Sequence, residues 1–315
     1  MSETYAFGID VGGTTIKHGL FNGKGELLES WEIPTRTEEN GKNILPDIAA
    51  SIRGKMKEKS ITAADVKGVG IGVPGPVLEG GIVNSCVNLG WGVVDVQEEL
   101  SKALEGIPVE VGNDANVAAL GECWKGAGRG YKNMIMVTLG TGVGGGVIIN
   151  GRILPGSHGA GGEIGHITVN KHEEDACNCG KKGCLEQYAS ANGLVRMTRK
   201  TLARKHGQTK LVDDETLTSR LIFDLAKQGD VVAKQCVEDM CETLGETLAQ
   251  VAAVVDPEAF VIGGGVSKAG TIVTDTVKKY YLPAAFHACR NVIFKLAELG
   301  NDAGMYGAVR MVLQK

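Results

Sequence analysis

Residues 5–21, YAFGIDVGGTTIKHGLF, place an apolar run, a glycine–threonine turn and a second apolar run in succession. Tyr5–Val11 predicts a buried strand, and Ile16–Phe21 predicts the strand that follows the turn. Glycine lets backbone N–H groups approach an anion closely, and threonine hydroxyls add further donors. The stretch therefore suits a phosphate-binding hairpin, although a plain β-hairpin with a glycine turn fits it equally well.

The same pattern returns further along the chain. Residues 133–150, NMIMVTLGTGVGGGVIIN, again place a glycine–threonine turn between two apolar runs. Such a duplication predicts two related lobes, each with its own clamp for phosphate groups. A length of 315 residues is also typical of two domains. We therefore expect an α/β protein with a small lobe at residues 1–118 and a large lobe at residues 119–299.

Residues 192–253 and the region after residue 300 are both predicted to be helical. Asp302–Leu313 has helical periodicity, and chain termini of two-lobed proteins often lie close together. We therefore expect a helix at about residues 300–315 to pack back on the small lobe. Residues 192–253 are also mostly helical by pattern. Their apolar stripe has helical spacing and predicts a core face, made of Val231, Val232, Cys236, Val237, Met240, Leu244 and Leu248.

Residues 156–190 carry three of the eight cysteines. Cys177, Cys179 and Cys184 fall within eight residues, and His166 lies upstream. Three thiolates and one imidazole suit a closed, four-coordinate structural Zn²⁺ site. The alternatives are three ordinary thiols in a glycine-rich loop, or a site that takes His172 as its fourth ligand.

Two carboxylates flank this predicted metal site. Glu163 precedes His166 by three residues, and Glu186 follows Cys184 by two. If a metal holds both ends of the segment, it also determines where these carboxylates point. Carboxylates beside a rigid imidazole can accept hydrogen bonds from several hydroxyl groups at once, so we expect this segment to bind a sugar.

Further candidates stand at the ends of predicted strands. Asp10 ends the first strand, where it can hold Mg²⁺ directly or through water, and Lys17 adds a positive charge. Asp114 follows the short strand Val109–Gly112 and opens a predicted helix. It is either a helix N-cap, a frequent use of Asp, or a general base at a strand's carboxyl end.

Two loops can also reach a ligand. Residues 84–91, NSCVNLGW, predict a polar loop broken by glycine, with Asn88 as a contact candidate. Gly263, Gly264 and Gly265 separate a predicted strand from a helix. They allow a flat adenine or ribose to lie on the backbone, or they form a tight turn without a ligand.

Composition limits the function classes. The chain is 43% apolar and 22% charged, which is typical of a globular protein, and its 46 glycines suggest backbone wrapped around ligands. A net charge of −4 and the absence of a basic block argue against nucleic acid and anionic membranes as partners. No membrane span or export signal is predicted, so we expect a cytoplasmic protein whose cysteines are thiols or ligands.

Longer strings add a family resemblance. They are DVGGTTIK at Asp10–Lys17, GVPGP at Gly72–Pro76, NDAN at Asn113–Asn116, LGTGVGGG at Leu139–Gly146, GGEIGH at Gly161–His166 and CNCGKKGCLE at Cys177–Glu186. With them the chain resembles the ROK family (repressors, open reading frames and sugar kinases) over essentially its full length. It is most similar to the ATP-dependent glucokinases of Gram-positive bacteria. The resemblance implies an actin-like ATPase (ribonuclease H-like) fold of two α/β lobes with a zinc-stabilised loop.

The resemblance also implies residue roles. Asp114 becomes the catalytic base. The implied sugar contacts are Asn113, Glu163, His166 and Glu186, with Gly75 and Asn88 less certain. The implied nucleotide contacts are Asp10, Gly12, Gly13, Thr14, Lys17, Thr138, Gly140, Thr141, Gly142, Gly264 and Gly265. The implied zinc ligands are His166, Cys177, Cys179 and Cys184, so that one ring nitrogen of His166 faces zinc and the other faces the sugar.

The implied reaction is phosphoryl transfer from ATP, accompanied by Mg²⁺, to the 6-hydroxyl of glucose. N-acetylmannosamine or fructose are alternative acceptors, and polyphosphate is an alternative donor. The family also contains sugar-sensing regulators with an N-terminal helix-turn-helix, for which the first strand at Tyr5 leaves no room. The resemblance suggests a homodimer.

Overall fold

The computed structural model describes residues 3–204 and 208–315, which form two compact units. The first unit contains residues 1–132, 146–162 and 299–315, and the second contains residues 133–145 and 163–298. The predicted lobe boundaries at residues 118 and 299 stay a prediction about domains. The compact units differ from them in assigning residues 119–132 and 146–162 to the first unit.

Twelve strands and ten helices are found in the described part of the chain. The strands are β1 (Tyr5–Val11), β2 (Thr15–Asn22), β3 (Leu27–Pro34), β4 (Val66–Val73), β5 (Ile82–Cys86), β6 (Trp91–Asp95), β7 (Val109–Asn113), β8 (Met134–Leu139), β9 (Val143–Ile149), β10 (Arg152–Ile153), β11 (Ala259–Gly263) and β12 (Ile293–Leu296). The helices are α1 (Glu38–Gly41), α2 (Ile44–Glu58), α3 (Val96–Ala103), α4 (Asp114–Lys125), α5 (Glu186–Ala189), α6 (Ala191–Arg204), α7 (Ser219–Lys227), α8 (Val231–Val255), α9 (Thr271–Ala284) and α10 (Ala303–Leu313).

The first unit is built on a five-stranded sheet with the order β3-β2-β1-β4-β7. Strands β1, β4 and β7 run parallel, whereas β2 and β3 are antiparallel additions at one side. Side chains of β1 alternate between two apolar clusters, as the period of a strand requires. Phe7 and Ile9 pack in one cluster with Ile48 of α2, and Ala6 packs in the other with Met305 of α10.

Two glycines of this sheet explain how closely α10 lies on it. A Cβ atom on Gly8 would stand 2.3 Å from the Met305 carbonyl oxygen, and one on Gly70 would stand 1.8 Å from the Ala308 carbonyl oxygen. Both contacts are far below van der Waals distance, so only glycine allows the helix to rest on the strands. Part of the high glycine content therefore serves packing, not the ligand binding that the composition suggested.

The second five-stranded sheet has the order β10-β9-β8-β11-β12. Strands β8, β11 and β12 run parallel, and β9 and β10 pair antiparallel. Between β10 and β11 the chain forms the cysteine-rich segment and helices α5 to α8. The long helix α8 packs on α9 and α7, with the predicted core residues Cys236, Met240 and Leu248 buried.

Most predicted elements are confirmed, including the strands at residues 5–11 and 16–21 and the C-terminal helix. Two local predictions are wrong, and one strand was missed. Residues 84–86 belong to β5, which pairs with β6 in a two-stranded ribbon whose polar Asn84 faces outward, so polarity there did not mark a loop. Val231 is 76% exposed because it is the first residue of α8, before the helix reaches the core. Strand β12 was not predicted.

No helix in the described residues combines the length and apolar character that crossing a membrane requires.

Candidate functional site

Three neighbouring parallel strands of the first unit bring candidate residues to one edge of its sheet. Asp10 near the end of β1 lies opposite Gly72 of β4, and Gly72 lies opposite Gly112 of β7. Asn113 ends β7 and Asp114 begins α4. Because the carboxyl ends of parallel strands meet at one edge, the strand order places Asp10 and Asp114 on that edge.

The cap of α4 is Asn113, not Asp114. The Asn113 Oδ1 atom accepts a hydrogen bond from the Asn116 N–H at 3.2 Å, which is the N-cap arrangement. The interpretation of Asp114 as a helix N-cap is therefore wrong. The Asp114 Oδ1 atom instead accepts hydrogen bonds from the Ala115 N–H at 2.8 Å and from Asn113 Nδ2 at 3.0 Å. These donors fix the direction of the carboxylate.

Asp10 is largely removed from water. Its pKa is raised from 3.8 to about 6, first by burial and then by the nearby carboxylate of Asp114, against the lowering effect of Lys17. A Cβ atom on Gly304 of α10 would stand 2.5 Å from Asp10 Oδ2. Gly304 was not among the predicted site residues. Nothing in the sequence around Gly304 indicates that it lies beside Asp10, because only the fold brings α10 beside β1.

The first glycine–threonine turn is held by its own sheet. The Gly12 N–H donates to the Thr15 carbonyl at 3.0 Å, and the Thr35 hydroxyl donates to the Gly12 carbonyl at 2.7 Å. Apart from the two chain neighbours of Gly13, no described residue places an atom within 4 Å of a Cβ atom built there, so space is open above this turn. Lys17 faces Asp302 Oδ1 at 3.4 Å, which ties this predicted phosphate contact to the start of α10.

In the second unit, His166, Cys177, Cys179 and Cys184 place one ligand atom each within 4.8 Å of all the others. Cys179 Sγ and Cys184 Sγ are 3.6 Å apart, and Cys177 Sγ is 3.8 Å from His166 Nδ1. A tetrahedral Zn²⁺ with Zn–S bonds of about 2.3 Å sets its sulfur ligands about 3.8 Å apart. The four residues therefore fit a zinc-sized ion. The three sulfur atoms converge on one point, which ordinary thiols of a glycine-rich loop have no reason to do. His172 is exposed and outside the group.

Local backbone geometry explains why these cysteines converge. The Cys177 N–H donates to the Lys181 carbonyl at 2.7 Å, and the Gly180 N–H donates to the Cys177 carbonyl at 2.8 Å, which folds residues 177–184 into a tight knuckle. Gly183 has a φ of +73°, and a Cβ atom there would stand 1.8 Å from the Asn170 carbonyl oxygen. Glycine is therefore required at this bend.

Both predicted carboxylates lie near the imidazole of His166. Glu163 Oε2 is 3.9 Å from His166 Nε2, and Glu186 Oε1 is 3.8 Å from His166 Nδ1. The Nδ1 atom is also the ring nitrogen that faces Cys177. One ring nitrogen thus belongs to the metal-ligand group, and the other points toward the exposed carboxylate of Glu163.

The second glycine–threonine turn lies against Glu186. A Cβ atom on Gly142 would stand 2.5 Å from Glu186 Oε2, while Glu186 Oε1 accepts a hydrogen bond from the Cys177 thiol at 2.8 Å. Glu186 therefore touches both the metal-ligand group and the turn. A cavity of about 310 Å³ opens here, lined by Thr138, Gly140, Gly142, Val143, Gly144, Glu186 and Gly264.

The remaining predicted residues are placed as follows. Gly75 has a φ of +95°, and its carbonyl accepts a hydrogen bond from Asn113 Nδ2 at 3.1 Å. Asn88 is exposed on the short 3₁₀ turn between β5 and β6. Thr14, Thr141 and Gly265 are exposed on their turns. The structure thus groups Glu163, His166 and Glu186 directly.

Comparison with known proteins identifies the family. The model of the ROK family matches residues 6–315. The chain belongs to the ROK family. The sheets and helices described above are accordingly the mixed α/β fold of a ROK kinase.

This ROK protein is similar to curated glucokinases along its whole length. It is 42% identical over 320 residues to the glucokinase of Halalkalibacterium halodurans, covering 100% of this chain and 97% of the relative. It is 36% identical over 324 residues to the glucokinase of Thermotoga maritima, covering 100% and 99%. A crystal structure of a ROK family glucokinase from Streptomyces griseus in complex with glucose and AMPPNP matches with a TM-score of 0.75 and 33% identity, covering 99% of this chain and 100% of that one.

Proposed function

We propose that this ROK protein is a glucokinase, which transfers the γ-phosphoryl group of ATP to the 6-hydroxyl of glucose and releases glucose 6-phosphate and ADP. Full-length similarity to glucokinases supports the reaction. The observation that carries the assignment is the position of Glu186. Its carboxylate lies between the imidazole-containing metal-ligand group and the glycine turn of the 310 Å³ cavity, so one residue links a sugar-type site to a phosphate-type site.

Asp114 is the proposed catalytic base. A sugar hydroxyl is a poor nucleophile at neutral pH, and a carboxylate that takes its proton as attack develops contributes about 10²–10⁴-fold. Hydrogen bonds from Ala115 and Asn113 hold one carboxylate oxygen in place, which limits the motion of the base. The remaining acceleration comes from alignment of the two substrates and from stabilisation of charge on the phosphoryl group.

The proposed sugar contacts in the second unit are Glu163, His166 and Glu186. Carboxylates accept hydrogen bonds from sugar hydroxyls, and with Nδ1 bound to the metal the remaining Nε2–H of His166 can donate one to a sugar oxygen. In the first unit we propose Asn113 as a further contact, with secondary roles for Gly75 and Asn88. The backbone carbonyl of Gly75 already positions Asn113, so its contribution to sugar binding includes this indirect effect.

The proposed nucleotide contacts are backbone N–H groups and hydroxyls of the two turns, because these groups bind phosphate oxygens without a counter-charge of their own. They belong to Gly12, Gly13, Thr14, Thr138, Gly140, Thr141 and Gly142, with Lys17 as a cation and Gly264 and Gly265 on the adenosine side. Mg²⁺ bound with ATP neutralises charge on the phosphates, and Asp10 is its proposed protein partner.

We propose a structural Zn²⁺ held by His166, Cys177, Cys179 and Cys184. Four protein ligands leave no open position on the ion, so its contribution is to shape the sugar-binding segment. We also propose a cytoplasmic homodimer, which rests on the family resemblance and which light scattering at several protein concentrations will test.

Two assays test the function: coupled ADP release with ATP as the donor, and formation of the sugar phosphate with either ATP or polyphosphate as the donor. Glucose, N-acetylmannosamine and fructose are compared as acceptors in both. The proposal predicts the highest kcat/KM for glucose with ATP. A higher value for another hexose or for polyphosphate would replace the substrate assignment, and no turnover with any pair would remove the kinase assignment.

The variant Asp114→Asn tests the catalytic base. It keeps the size and hydrogen-bonding shape of the side chain but removes its ability to take a proton. We expect kcat to fall by about 10²–10⁴-fold while glucose binding, measured by calorimetry, changes little. Near-normal turnover would assign the proton transfer to another group.

A further inference from the structure

Glu186 stands on a segment that cannot hold its own conformation. It is the first residue of α5, a helix of only four residues. Helices this short are unstable in isolation because nucleation costs more than the few hydrogen bonds return. The orientation of Glu186 must therefore come from contacts made by its surroundings.

The metal-ligand group supports only one side of this segment. Cys184 precedes Glu186 by two residues, whereas the residues after Glu186 carry no metal ligand. The Ser190 hydroxyl donates to the Glu186 carbonyl at 2.6 Å, and the Gln187 side chain donates to the Asp175 carbonyl at 2.9 Å. The first bond closes the end of α5, and the second connects α5 to residues 170–176, the stretch between the ligands His166 and Cys177.

A buried acid lies in the middle of that stretch. The Glu173 side chain is only 5% exposed, and its Oε2 accepts from Arg196 Nη2 at 2.6 Å and from the Tyr188 hydroxyl. Its Oε1 accepts from the backbone N–H of Glu174 at 3.1 Å and of Asp175 at 3.2 Å. Hydrogen bonds from Arg196 and Tyr188 hold the pKa of the Glu173 carboxyl well below its usual range, against the effect of burial.

Arg196 of α6 joins this stretch to α5. Its Nη1 donates to Asp175 Oδ2 at 2.8 Å, and its Nε donates to the Gln187 carbonyl at 3.3 Å. The guanidinium also lies 5.3 Å from the centroid of the Tyr188 ring. One rigid, planar cation thus contacts the stretch between two metal ligands and the backbone of the residue that follows Glu186.

We propose that Arg196, held by Glu173, is a positioning residue that aims Glu186 at the sugar independently of the metal. This inference rests on the proposed function of Glu186. A buried ion pair is an inefficient source of stability, because desolvation offsets the attraction, but a guanidinium fork supplies a fixed geometry. Arg196 and Glu173 do not touch the reacting atoms, so they act only through the α5 segment.

The central test compares Arg196→Met with Arg199→Met. Arg199 lies on the same helix, is half exposed and pairs with Asp213, so its loss removes the same charge without touching α5. We expect Arg196→Met to raise the glucose KM by about 10- to 100-fold, as loss of a supporting contact does at other sites. Its kcat should change less, and bound zinc, measured by mass spectrometry, should stay equal to that of the wild type. Arg199→Met should leave the glucose KM unchanged.

The conservative variant Arg196→Lys separates positioning from stability. Lysine keeps a positive charge near Glu173 but lacks the fork that reaches the Gln187 carbonyl at the same time. We expect Arg196→Lys to recover the melting temperature lost in Arg196→Met while the glucose KM stays raised. Full recovery of both would show that Arg196 acts only as a charge partner and would overturn the proposal.

Two further outcomes would also overturn it. An unchanged glucose KM in Arg196→Met, with a lower melting temperature, would assign Arg196 a purely structural role. A raised KM that appears only together with loss of zinc would assign the network to the metal site. Failure of the proposed function is distinct, since the wild type would then show no turnover with glucose.

Discussion

The two glycine–threonine turns share a sequence pattern but differ in what holds them. In the first unit the turn at Gly12 is fixed by Thr15 and Thr35, residues of the same sheet region. In the second unit the Gly140 carbonyl accepts from the Ala191 N–H at 2.8 Å, and Gly142 lies against Glu186. The second turn therefore depends on the cysteine-rich segment, and the first does not.

The strands that lead into the turns are equivalent. Asp10 lies opposite Gly72 of the neighbouring parallel strand, and Thr138 lies opposite Gly263 in the same relation. The equivalent positions nevertheless carry a carboxylate in one case and a hydroxyl in the other. The comparison shows that the same strand–turn–strand pattern presents a carboxylate in one copy and lies against Glu186, beside the cysteine-rich segment, in the other.

Removing the metal should have the largest effect that distinguishes the two turns, because only the second turn lies against Glu186. We expect Cys179→Ser to lose bound zinc and to raise the glucose KM by about 100-fold, since ligands and their supporting contacts contribute on this scale. The MgATP KM should rise as well, because Glu186 contacts Gly142 of the second turn. Steady-state kinetics and zinc content measure these effects.

The same substitution at Cys123, a cysteine of the first unit outside the metal-ligand group, is the control. Cys123→Ser should keep zinc and both KM values. A fully active Cys179→Ser variant without metal would show that the second turn needs no ion.

The strand that leads into the first turn should make the stability of the protein depend on pH, through Asp10. The pKa of Asp10 is raised from 3.8 to about 6, so the folded state binds more protons than the unfolded state in this window. Stability is therefore lost as pH rises from about 4 through about 6, by ~3 kcal/mol at 1.4 kcal/mol for each pKa unit. We expect Asp10→Asn to be more stable than the wild type at pH 7.5 by up to this amount, with the gain shrinking as pH falls below 6.

Urea unfolding at pH 5, 6 and 7.5 measures this difference, with the exposed Asp275→Asn as a control that should show no such trend. A ligand-free Asp10→Asn variant that is less stable than the wild type at pH 7.5 would contradict this prediction. It would show that burying the Asp10 carboxylate does not destabilise the folded state. We expect the variant to lose kinase activity despite its greater stability.

Glycine substitutions sharpen the comparison within the second turn. A Cβ atom on Gly142 would stand 2.5 Å from Glu186 Oε2, whereas one on Gly140 has no atom of a described residue within 4 Å apart from its chain neighbours. We expect Gly142→Ala to raise the glucose KM by about tenfold, or ~1.4 kcal/mol, through displacement of Glu186. Gly140→Ala should fold normally and raise only the MgATP KM. Equal effects of both variants on glucose would show that Glu186 adjusts without loss.

The sequence predicted the parts of the site that lie within one continuous segment. His166, Cys177, Cys179 and Cys184 were recognisable because metal ligands have characteristic chemistry and spacing, and the structure brings their donor atoms together. Strands such as β1 and β8 were recognisable because buried parallel strands are continuous apolar runs.

Contacts between distant segments could not be predicted. Gly304 reaches Asp10 only through the packing of α10 on the sheet, and Arg196 reaches Gln187 only through the fold of the cysteine-rich segment. Neither residue has a local pattern that distinguishes it from an ordinary helical glycine or a surface arginine. The sequence left the role of Asp114 open for a simpler reason, since Asn113 and Asp114 are both good caps and only geometry separates them.

The packing of α10 also has a consequence for synthesis on the ribosome. This helix rests on β1, β4 and α4, yet it is translated after every element it covers. The apolar face of the first sheet that packs against α10 therefore stays exposed to solvent while residues 133–298 leave the ribosome. The unit that begins the chain is the last to be completed, and until then its exposed strands are open to chaperones and to aggregation.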